Sequence, residues 1–189
     1  MLFVLDFFDR DLFVLINQRW ASPALDSMMI FLSSKWAFMP LYAVFIWLFW
    51  RKFGVRCWVP ILLTVASFGL ADSISSKICK PLFARVRPAW ESSLNPRLPD
   101  GPPGSRFGFV SSHSANSFAV FSTAMMLLGL GRRWRLGLMY LAAAIAYSRV
   151  YLGVHYVGDV FFGALLGLGI AYGLLWLYRN WLLPRMEQS

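Results

Sequence analysis

Residues 148–178 read SRVYLGVHYVGDVFFGALLGLGIAYGLLWLY, and this stretch decides the fold. A polar cluster at 148–159 leads directly into residues 160–178, which carry no charged side chain. A helix needs roughly 17 to 25 such residues to cross the hydrocarbon core of a bilayer. The stretch therefore predicts a membrane-spanning helix that begins at a cluster of chemically active side chains.

The composition of the whole chain agrees with a membrane protein. Of 189 residues, 58% are hydrophobic and 14% are charged, whereas about a quarter of the residues in a soluble domain are charged. The net charge of +9 lies in short cationic runs between apolar segments. We therefore expect membrane lipids, and not nucleic acid, as partners. Asp6, Asp9 and Asp11 interrupt the first apolar run, which is atypical of a signal peptide.

The hydropathy pattern predicts an all-α integral membrane helical bundle with about five transmembrane helices. The predicted spans are residues 28–50, 57–76, 114–131, 136–153 and 160–178. Lys35 lies inside the first span and would have to snorkel or face the protein. Residues 1–20 carry apolar side chains at helical spacing with acids between them, which predicts an N-terminal interfacial amphipathic helix. A single domain, residues 1–189, accounts for the whole pattern.

The short loops predict how the bundle is oriented. Cations fill the connections at 51–56 and 132–135 and follow the last span, so they share one face if five helices alternate. Positive charge marks the cytoplasmic face. The long loop at 77–113 and the turn containing His155 then share the opposite face. We expect an active site there, facing the periplasm or exterior of a bacterial inner membrane. A loop this long without periodicity is either functional or disordered.

Two polar clusters belong to this long loop. Lys80 and Arg87, with six residues between them, fit either a phosphate site or anchors that snorkel to lipid headgroups. Ser111, Ser112 and His113 directly precede an apolar helix. The serines fit helix caps. A helix start also offers free N–H groups to a phosphate, and His113 could protonate a leaving oxygen there.

The third cluster is the most specific. His155 and Asp159 are four residues apart, so on a helix they share one face. The carboxylate would then hold one ring nitrogen and leave the other nucleophilic. Arg149, six residues before His155, offers a planar fork for phosphate oxygens. The structural alternative is a buried His-Asp pair that only stiffens the start of the helix.

Together the clusters give the pattern Lys-x6-Arg-Pro, Ser-x-His and Ser-Arg-x5-His-x3-Asp, in that order and on one predicted face. With this pattern the chain resembles the type 2 phosphatidic acid phosphatase (PAP2) superfamily of integral membrane lipid phosphatases. The resemblance covers Lys80 to Asp159 by motif and most of the chain by the spacing of helices.

The resemblance implies a role for each residue of the pattern. His155 would be the nucleophile that becomes a phosphohistidine, Asp159 would orient it, and His113 would be the general acid. The remaining residues would bind the phosphate oxygens: Lys80, Arg87, Ser111, Ser112 through its backbone N–H, and Arg149. Three cations offset the charge of a phosphate, so no metal and no other cofactor is implied.

One position departs from the family pattern. Residues 110–113 read Val-Ser-Ser-His, where the family usually has Pro-Ser-Gly-His. If that glycine served a positive φ, Ser112 would be strained by about 1 kcal/mol or more. We expect instead an ordinary backbone at Ser112, with the glycine of relatives serving close approach to phosphate.

The expected function is metal-independent hydrolysis of a lipid phosphate or diphosphate at the outer face of the membrane. By resemblance the candidate substrates are undecaprenyl diphosphate, phosphatidylglycerol phosphate, phosphatidic acid and lipid A 1-phosphate. The outward, basic loop favours undecaprenyl diphosphate. Two alternatives stay open: a phosphotransferase with a lipid acceptor, and a non-catalytic protein that binds or transports anionic lipids. The sequence makes no prediction of oligomeric state.

Overall fold

A computed structural model describes residues 2–34 and 36–184. This part of the chain contains eight α-helices: α1 (Leu2–Val14), α2 (Pro23–Ser33), α3 (Met39–Phe53), α4 (Trp58–Ser73), α5 (Lys80–Phe83), α6 (Ser112–Leu128), α7 (Arg132–Tyr151) and α8 (Val157–Leu177). π-Helical turns extend α1, α4 and α8, at Leu15–Arg19, Ile74–Cys79 and Tyr178–Leu182. The same residues form no strand, and Val86 and Phe107 make an isolated β-bridge. The all-α prediction is confirmed.

Helices α3, α4, α6, α7 and α8 alternate in direction. Lys52, near the end of α3, donates from Nζ to the backbone carbonyls of Leu127 (3.0 Å) and Leu128 (2.7 Å) at the end of α6. Asp72, near the end of α4, accepts a hydrogen bond from Asn116 at the start of α6. The basic connections therefore lie at one end of the bundle, and the polar clusters lie at the other.

The closest helix contact is between α6 and α8, which run in parallel through small side chains. A Cβ atom on Gly167 would lie 2.3 Å from the backbone oxygen of Ala115, and one on Gly163 would lie 2.7 Å from that of Ser111. Ser114 donates from Oγ to the carbonyl of Val160 at 2.6 Å. Small residues allow such close backbone approach, and this contact fixes the start of α8 beside the start of α6.

The predicted first span, residues 28–50, is not one helix. Helix α2 ends at Ser33, and Ser34 has an extended backbone with φ −75° and ψ 130°. Helix α3 then begins at Met39 with Pro40 in its first turn. Proline is tolerated there but disrupts a helix interior, because it lacks an N–H donor. The continuous span was therefore a wrong prediction, and Lys35, its internal charge, lies outside the described residues.

The other four predicted spans match helices to within a few residues, except that the helix of α4 runs on through its π turn to Phe83. Two helical stretches of the described chain are both long and apolar enough to cross a membrane, Met39–Phe83 and Val157–Trp181. The first of these is interrupted at Gly54, whose φ of +57° breaks the helix between α3 and α4.

The N-terminal segment is helical and packs against the polar end of the bundle. Asn17 is fully buried and donates from Nδ2 to the carbonyls of Arg97 (2.9 Å) and Tyr151 (2.7 Å). The backbone N–H of Arg97 donates back to Oδ1 of Asn17 at 2.9 Å. These bonds tie the N-terminal segment to the long loop at Arg97 and to the end of α7 at Tyr151.

Candidate active site

His155 and Asp159 form a buried pair at the start of α8. His155 is 2% exposed and Asp159 is fully buried, and Nδ1 of the imidazole lies 3.3 Å from Oδ2 of the carboxylate. The same oxygen accepts a hydrogen bond from the backbone N–H of Tyr156 at 3.1 Å. Helix α8 begins at Val157, so His155 lies in the preceding turn. The predicted pairing is present, although a helix start and not a helix face produces it.

His155 is neutral at pH 7. Burial lowers its pKa to about 4, although the hydrogen bond to Asp159 acts in the opposite direction. A neutral imidazole that donates Nδ1–H to a carboxylate has its lone pair on Nε2. The arrangement therefore provides a nitrogen nucleophile without requiring that a proton be removed first.

Arg87 is held rigidly beside this pair. Its guanidinium donates from Nε to the carbonyl of Phe107 at 3.0 Å and from Nη2 to Oγ of Ser105 at 2.9 Å, and the residue is 7% exposed. Gly108 covers the pair. A Cβ atom there would lie 2.8 Å from Cγ of Arg87, 3.1 Å from Oδ2 of Asp159 and 3.4 Å from Nδ1 of His155.

Lys80, Ser111 and Ser112 lie at the start of α6. Nζ of Lys80 donates to Oγ of Ser112 at 2.8 Å, and Oγ of Ser75 donates to the same oxygen at 2.9 Å. Ser112 has no positive φ, so the expectation of an ordinary backbone at this position is confirmed. The backbone N–H of Ser111 donates to the carbonyl of Asp159 at 2.9 Å, and its buried Oγ has no partner among the described residues.

Arg149 and His113 face an open cleft on the α2 side of the site. Its volume is about 430 Å³, and it is lined by Ile30, Ser33, Ser34, Trp36, Asp100, His113 and Arg149. Nη1 of Arg149 donates to Oγ of Ser33, while its buried Nε has no partner among the described residues. The imidazole of His113 is exposed to this cleft.

The structure brings all eight predicted site residues to one end of the bundle. The charges of Arg87 and Arg149 act on His155, and those of Lys80 and Arg149 act on His113. Unpaired donors in a basic pocket suit a phosphate, whose charge they offset. No group of three or more His, Cys, Asp or Glu side chains suited to a metal ion occurs in residues 2–34 and 36–184.

Two residues that the motifs did not identify lie next to the pair: Arg85 contacts Asp159, and Asp9 contacts Arg85. Arg85 donates from Nη1 to Oδ1 of Asp159 at 2.9 Å, and its Nη2 lies 2.8 Å from Oδ2 of Asp9. The sequence offered Arg85 only as one of several loop cations, and Asp9 only as an acid on an amphipathic helix. Their proximity to residue 159 has no local signal.

The fold and the site are those of a helical protein with segments suited to a membrane and a polar end suited to phosphate. The chain belongs to the PAP2 superfamily, whose profile matches residues 57–183. The resemblance stated from the motifs is therefore confirmed.

Individual relatives differ in the lipid named for them. The chain is 30% identical to the lipid A 4'-phosphatase of Bacteroides thetaiotaomicron over 181 residues, 89% of this chain and 76% of that protein. It is 27% identical to the undecaprenyl-diphosphatase of Sulfolobus acidocaldarius over 187 residues, 96% of this chain and 84% of that protein. The crystal structure of a transmembrane PAP2 type phosphatidylglycerolphosphate phosphatase from Bacillus subtilis has the same fold, with a TM-score of 0.76, 21% identity, and coverage of 94% of this chain and 88% of that one.

Proposed function

We propose that this chain hydrolyses a membrane lipid phosphate without a metal ion, through a phosphohistidine formed on His155. The relatives are named lipid phosphatases, and membership of their family makes the chain an enzyme of this class. One observation carries the mechanism: the fully buried Asp159 carboxylate lies 3.3 Å from Nδ1 of a buried His155, an arrangement that leaves the lone pair of the ring on Nε2.

In the first step, Nε2 of His155 attacks phosphorus. The N–P bond forms as the P–O bond to the lipid breaks. The attacking Nε2, the phosphorus and the leaving oxygen lie in line. Asp159 accepts the Nδ1 hydrogen bond throughout and offsets the positive charge that develops on the phosphorylated ring. Lys80, Arg87 and Arg149 neutralise the phosphate oxygens, whose charge is spread out in the transition state.

His113 manages the proton. The positive charges of Arg149 and Lys80 act on its ring and disfavour the imidazolium in the free protein. A phosphate dianion bound beside the ring favours the imidazolium. Substrate binding therefore charges His113, which then protonates the leaving oxygen. In the second step a water molecule attacks phosphorus while the neutral ring of His113 takes a proton from it. The N–P bond to His155 breaks, and inorganic phosphate is released.

We place the chain in a bacterial inner membrane as one domain with five spanning helices: α3, α4, α6, α7 and α8. The alternation of these helices supports this placement, because it puts the basic connections at the end opposite the site. The site then lies at the outer face, with α1 at the interface above it. A lipid would reach it sideways, with its phosphate at the level of the headgroups.

The cleft beside His113 bears on the substrate. A leaving group protonated by His113 would enter this cleft, where Asp100, Ser34 and Trp36 form part of the lining. A carboxylate, a hydroxyl and an aromatic ring suit a sugar, whereas Asp100 would repel the second phosphate of a diphosphate. We therefore place a phosphate monoester on a glycolipid, as in lipid A, first among the substrates, and undecaprenyl diphosphate second.

The first experiment measures phosphate release by purified protein in detergent with EDTA present. The substrates are lipid A, undecaprenyl diphosphate, phosphatidylglycerol phosphate and phosphatidic acid. For lipid A, mass spectrometry identifies which phosphate is removed. Wild type should release phosphate from at least one lipid, and His155→Ala should release none while remaining folded. Activity that is lost in EDTA and restored by Mg²⁺, or that survives in His155→Ala, contradicts the mechanism.

The covalent intermediate distinguishes hydrolysis from its alternatives. With labelled substrate and an alkaline quench, label should remain on wild-type protein and be absent from His155→Ala, because a phosphohistidine is stable in alkali and lost in acid. Transfer of that label to an added lipid acceptor, with none to water, identifies a phosphotransferase. Lipid binding without label on the protein identifies a non-catalytic binding protein.

A further inference from the structure

The carboxylate that orients His155 is itself held by a chain of side chains that reaches the N-terminal helix. Asp159 is fully buried, and a buried carboxylate stays ionised only where other groups compensate its charge. Its Oδ2 faces His155 and the Tyr156 N–H. Its Oδ1 accepts a hydrogen bond at 2.9 Å from Nη1 of Arg85, which brings a positive charge into direct contact.

Arg85 is fixed from two further directions. Its Nη2 lies 2.8 Å from Oδ2 of Asp9 on α1, so one guanidinium bridges two carboxylates. Its guanidinium carbon lies 4.3 Å from the ring centroid of Tyr156. A planar fork can satisfy both carboxylates and stack at the same time, which an ammonium group cannot do.

Asp9 is built into the start of α8. It is 7% exposed, and its Oδ1 accepts a hydrogen bond from the backbone N–H of Gly158 at 2.8 Å. A Cβ atom on residue 158 would lie 2.6 Å from Oδ2 of Asp9, so the carboxylate occupies the space that a side chain would need. The same carboxylate thus contacts both Arg85 and the turn that carries His155 and Asp159.

We propose that Asp9 and Arg85 are positioning residues for the reaction: through Asp159 they fix the ring of His155 in the orientation from which Nε2 attacks. This inference rests on the proposed function. It also gives the N-terminal helix a part in positioning the nucleophile, because α1 supplies Asp9, which contacts Arg85, which in turn contacts Asp159 beside His155.

The test measures kcat and KM for Asp9→Asn and Arg85→Lys on the lipid that wild type hydrolyses. Asp9→Asn keeps the shape and the acceptor for the Gly158 N–H but loses the charge, and Arg85→Lys keeps the charge but loses the bridge. Misplacing a reacting group by about 1 Å lowers the rate by about 100-fold. We therefore expect kcat to fall by about 10- to 100-fold in both variants, with KM changed by no more than about twofold.

Two matched controls lie on the same elements. Asp11, an exposed acid of α1, is changed to Asn, and Arg106, an exposed cation of the loop, is changed to Lys. Both controls should keep the wild-type kcat. The double variant Asp9→Asn, Arg85→Lys should be no slower than Arg85→Lys alone, because residues that act as one unit are not additive. Thermal unfolding in detergent checks that each variant is folded. If Asp9→Asn does not fold, the kcat of Arg85→Lys by itself tests the positioning role.

Each outcome separates this inference from the function on which it rests. An inactive wild type, or an active His155→Ala, defeats the proposed function. If wild type is active and a folded Asp9→Asn or Arg85→Lys variant has the same kcat, the positioning role is contradicted. A loss that appears in KM and not in kcat, or an equal loss in the Asp11→Asn control, also contradicts it.

Discussion

The proposed mechanism depends on the protonation states of two imidazoles, those of the two histidines of the chain. His155 is enclosed and paired with Asp159, whereas His113 is exposed to the cleft. The proposed mechanism uses this difference in surroundings. The exposed ring of His113 exchanges its proton with solvent and with the leaving group, whereas the enclosed ring of His155 keeps its Nδ1–H on Asp159 and its lone pair on Nε2.

Because the chain has two histidines, nuclear magnetic resonance of ¹⁵N-histidine-labelled protein in detergent resolves each ring. We expect His155 to be neutral at pH 6 and to gain charge only near its pKa of about 4. Inorganic phosphate added at pH 6 should change the ¹⁵N chemical shifts of both rings, because the proposed mechanism places the phosphate between His155 and His113. A titration of His155 near pH 6.5 would contradict the burial argument.

Gly108 should be sensitive to the smallest possible change. Its missing Cβ leaves room for Arg87, Asp159 and His155, and a Cβ would lie 2.8 Å from Cγ of Arg87. We expect Gly108→Ala to lower kcat by about 100-fold by displacing these groups, with folding retained. Gly104→Ala is the matched control, because a Cβ there meets nothing within 4 Å. Equal activity of the two variants, measured on the same lipid, would show that the glycine is not needed for the site.

Among the helices, the contact between α6 and α8 sets the distance between their first turns. The first turn of α6 carries Ser112 and His113, and the first turn of α8 carries Asp159. The contact tolerates no side chain at Gly167, where a Cβ would lie 2.3 Å from the oxygen of Ala115 and 2.9 Å from the nitrogen of Ala119. Both obstacles are backbone atoms, so the helices themselves would have to separate.

Gly167→Ala should therefore destabilise the protein and reduce activity together. Gly169→Ala, two residues further along α8, meets nothing within 4 Å. It should be neutral or stabilising, since alanine is favoured over glycine in a helix by up to about 1 kcal/mol. Unfolding temperature in detergent and phosphate release check both variants. A Gly167→Ala protein as stable and active as Gly169→Ala would mean that the contact is less tight than the structure indicates.

For the whole molecule, the buried histidine makes stability depend on pH. The unfolded chain protonates His155 below its ordinary pKa of 6.5, while the folded protein does so only near 4. Between these two pKa values protons bind the unfolded chain more than the folded protein. The free energy of unfolding is therefore highest above about pH 6.5 and declines as the pH falls toward 4. At pH 5 the loss from this residue is on the order of 2 kcal/mol.

Thermal unfolding in detergent at pH 7 and pH 5 measures this effect. His155→Gln cannot titrate, so its unfolding temperature should fall less between the two pH values than that of wild type. Titrating groups that do not contact residue 155 contribute equally to both proteins and cancel in the comparison. The same pH dependence in both would show that His155 is not kept neutral by the fold.

The sequence by itself determined the features that depend on local pattern. Apolar runs and helical spacing gave the all-α architecture, and the spacing within 80–87, 111–113 and 149–159 gave eight residues that the structure gathers at one end. Hydropathy is a property of each segment, and alternating segments bring their ends together in a fixed order. These features therefore needed no knowledge of which side chains touch.

Only the tertiary structure decided the rest, because the contacts join distant positions. Arg85 and Asp159 are 74 residues apart, Asp9 and Gly158 are 149 apart, and Arg149 and Ser33 are 116 apart. Nothing local marks Asp9 as part of the site, or Gly108 as its cover. The division of residues 28–50 into two helices also brings Ser33 and Ser34 to the wall of the cleft. Side chains that orient a reacting group must converge in space, and the packing of helices determines that convergence.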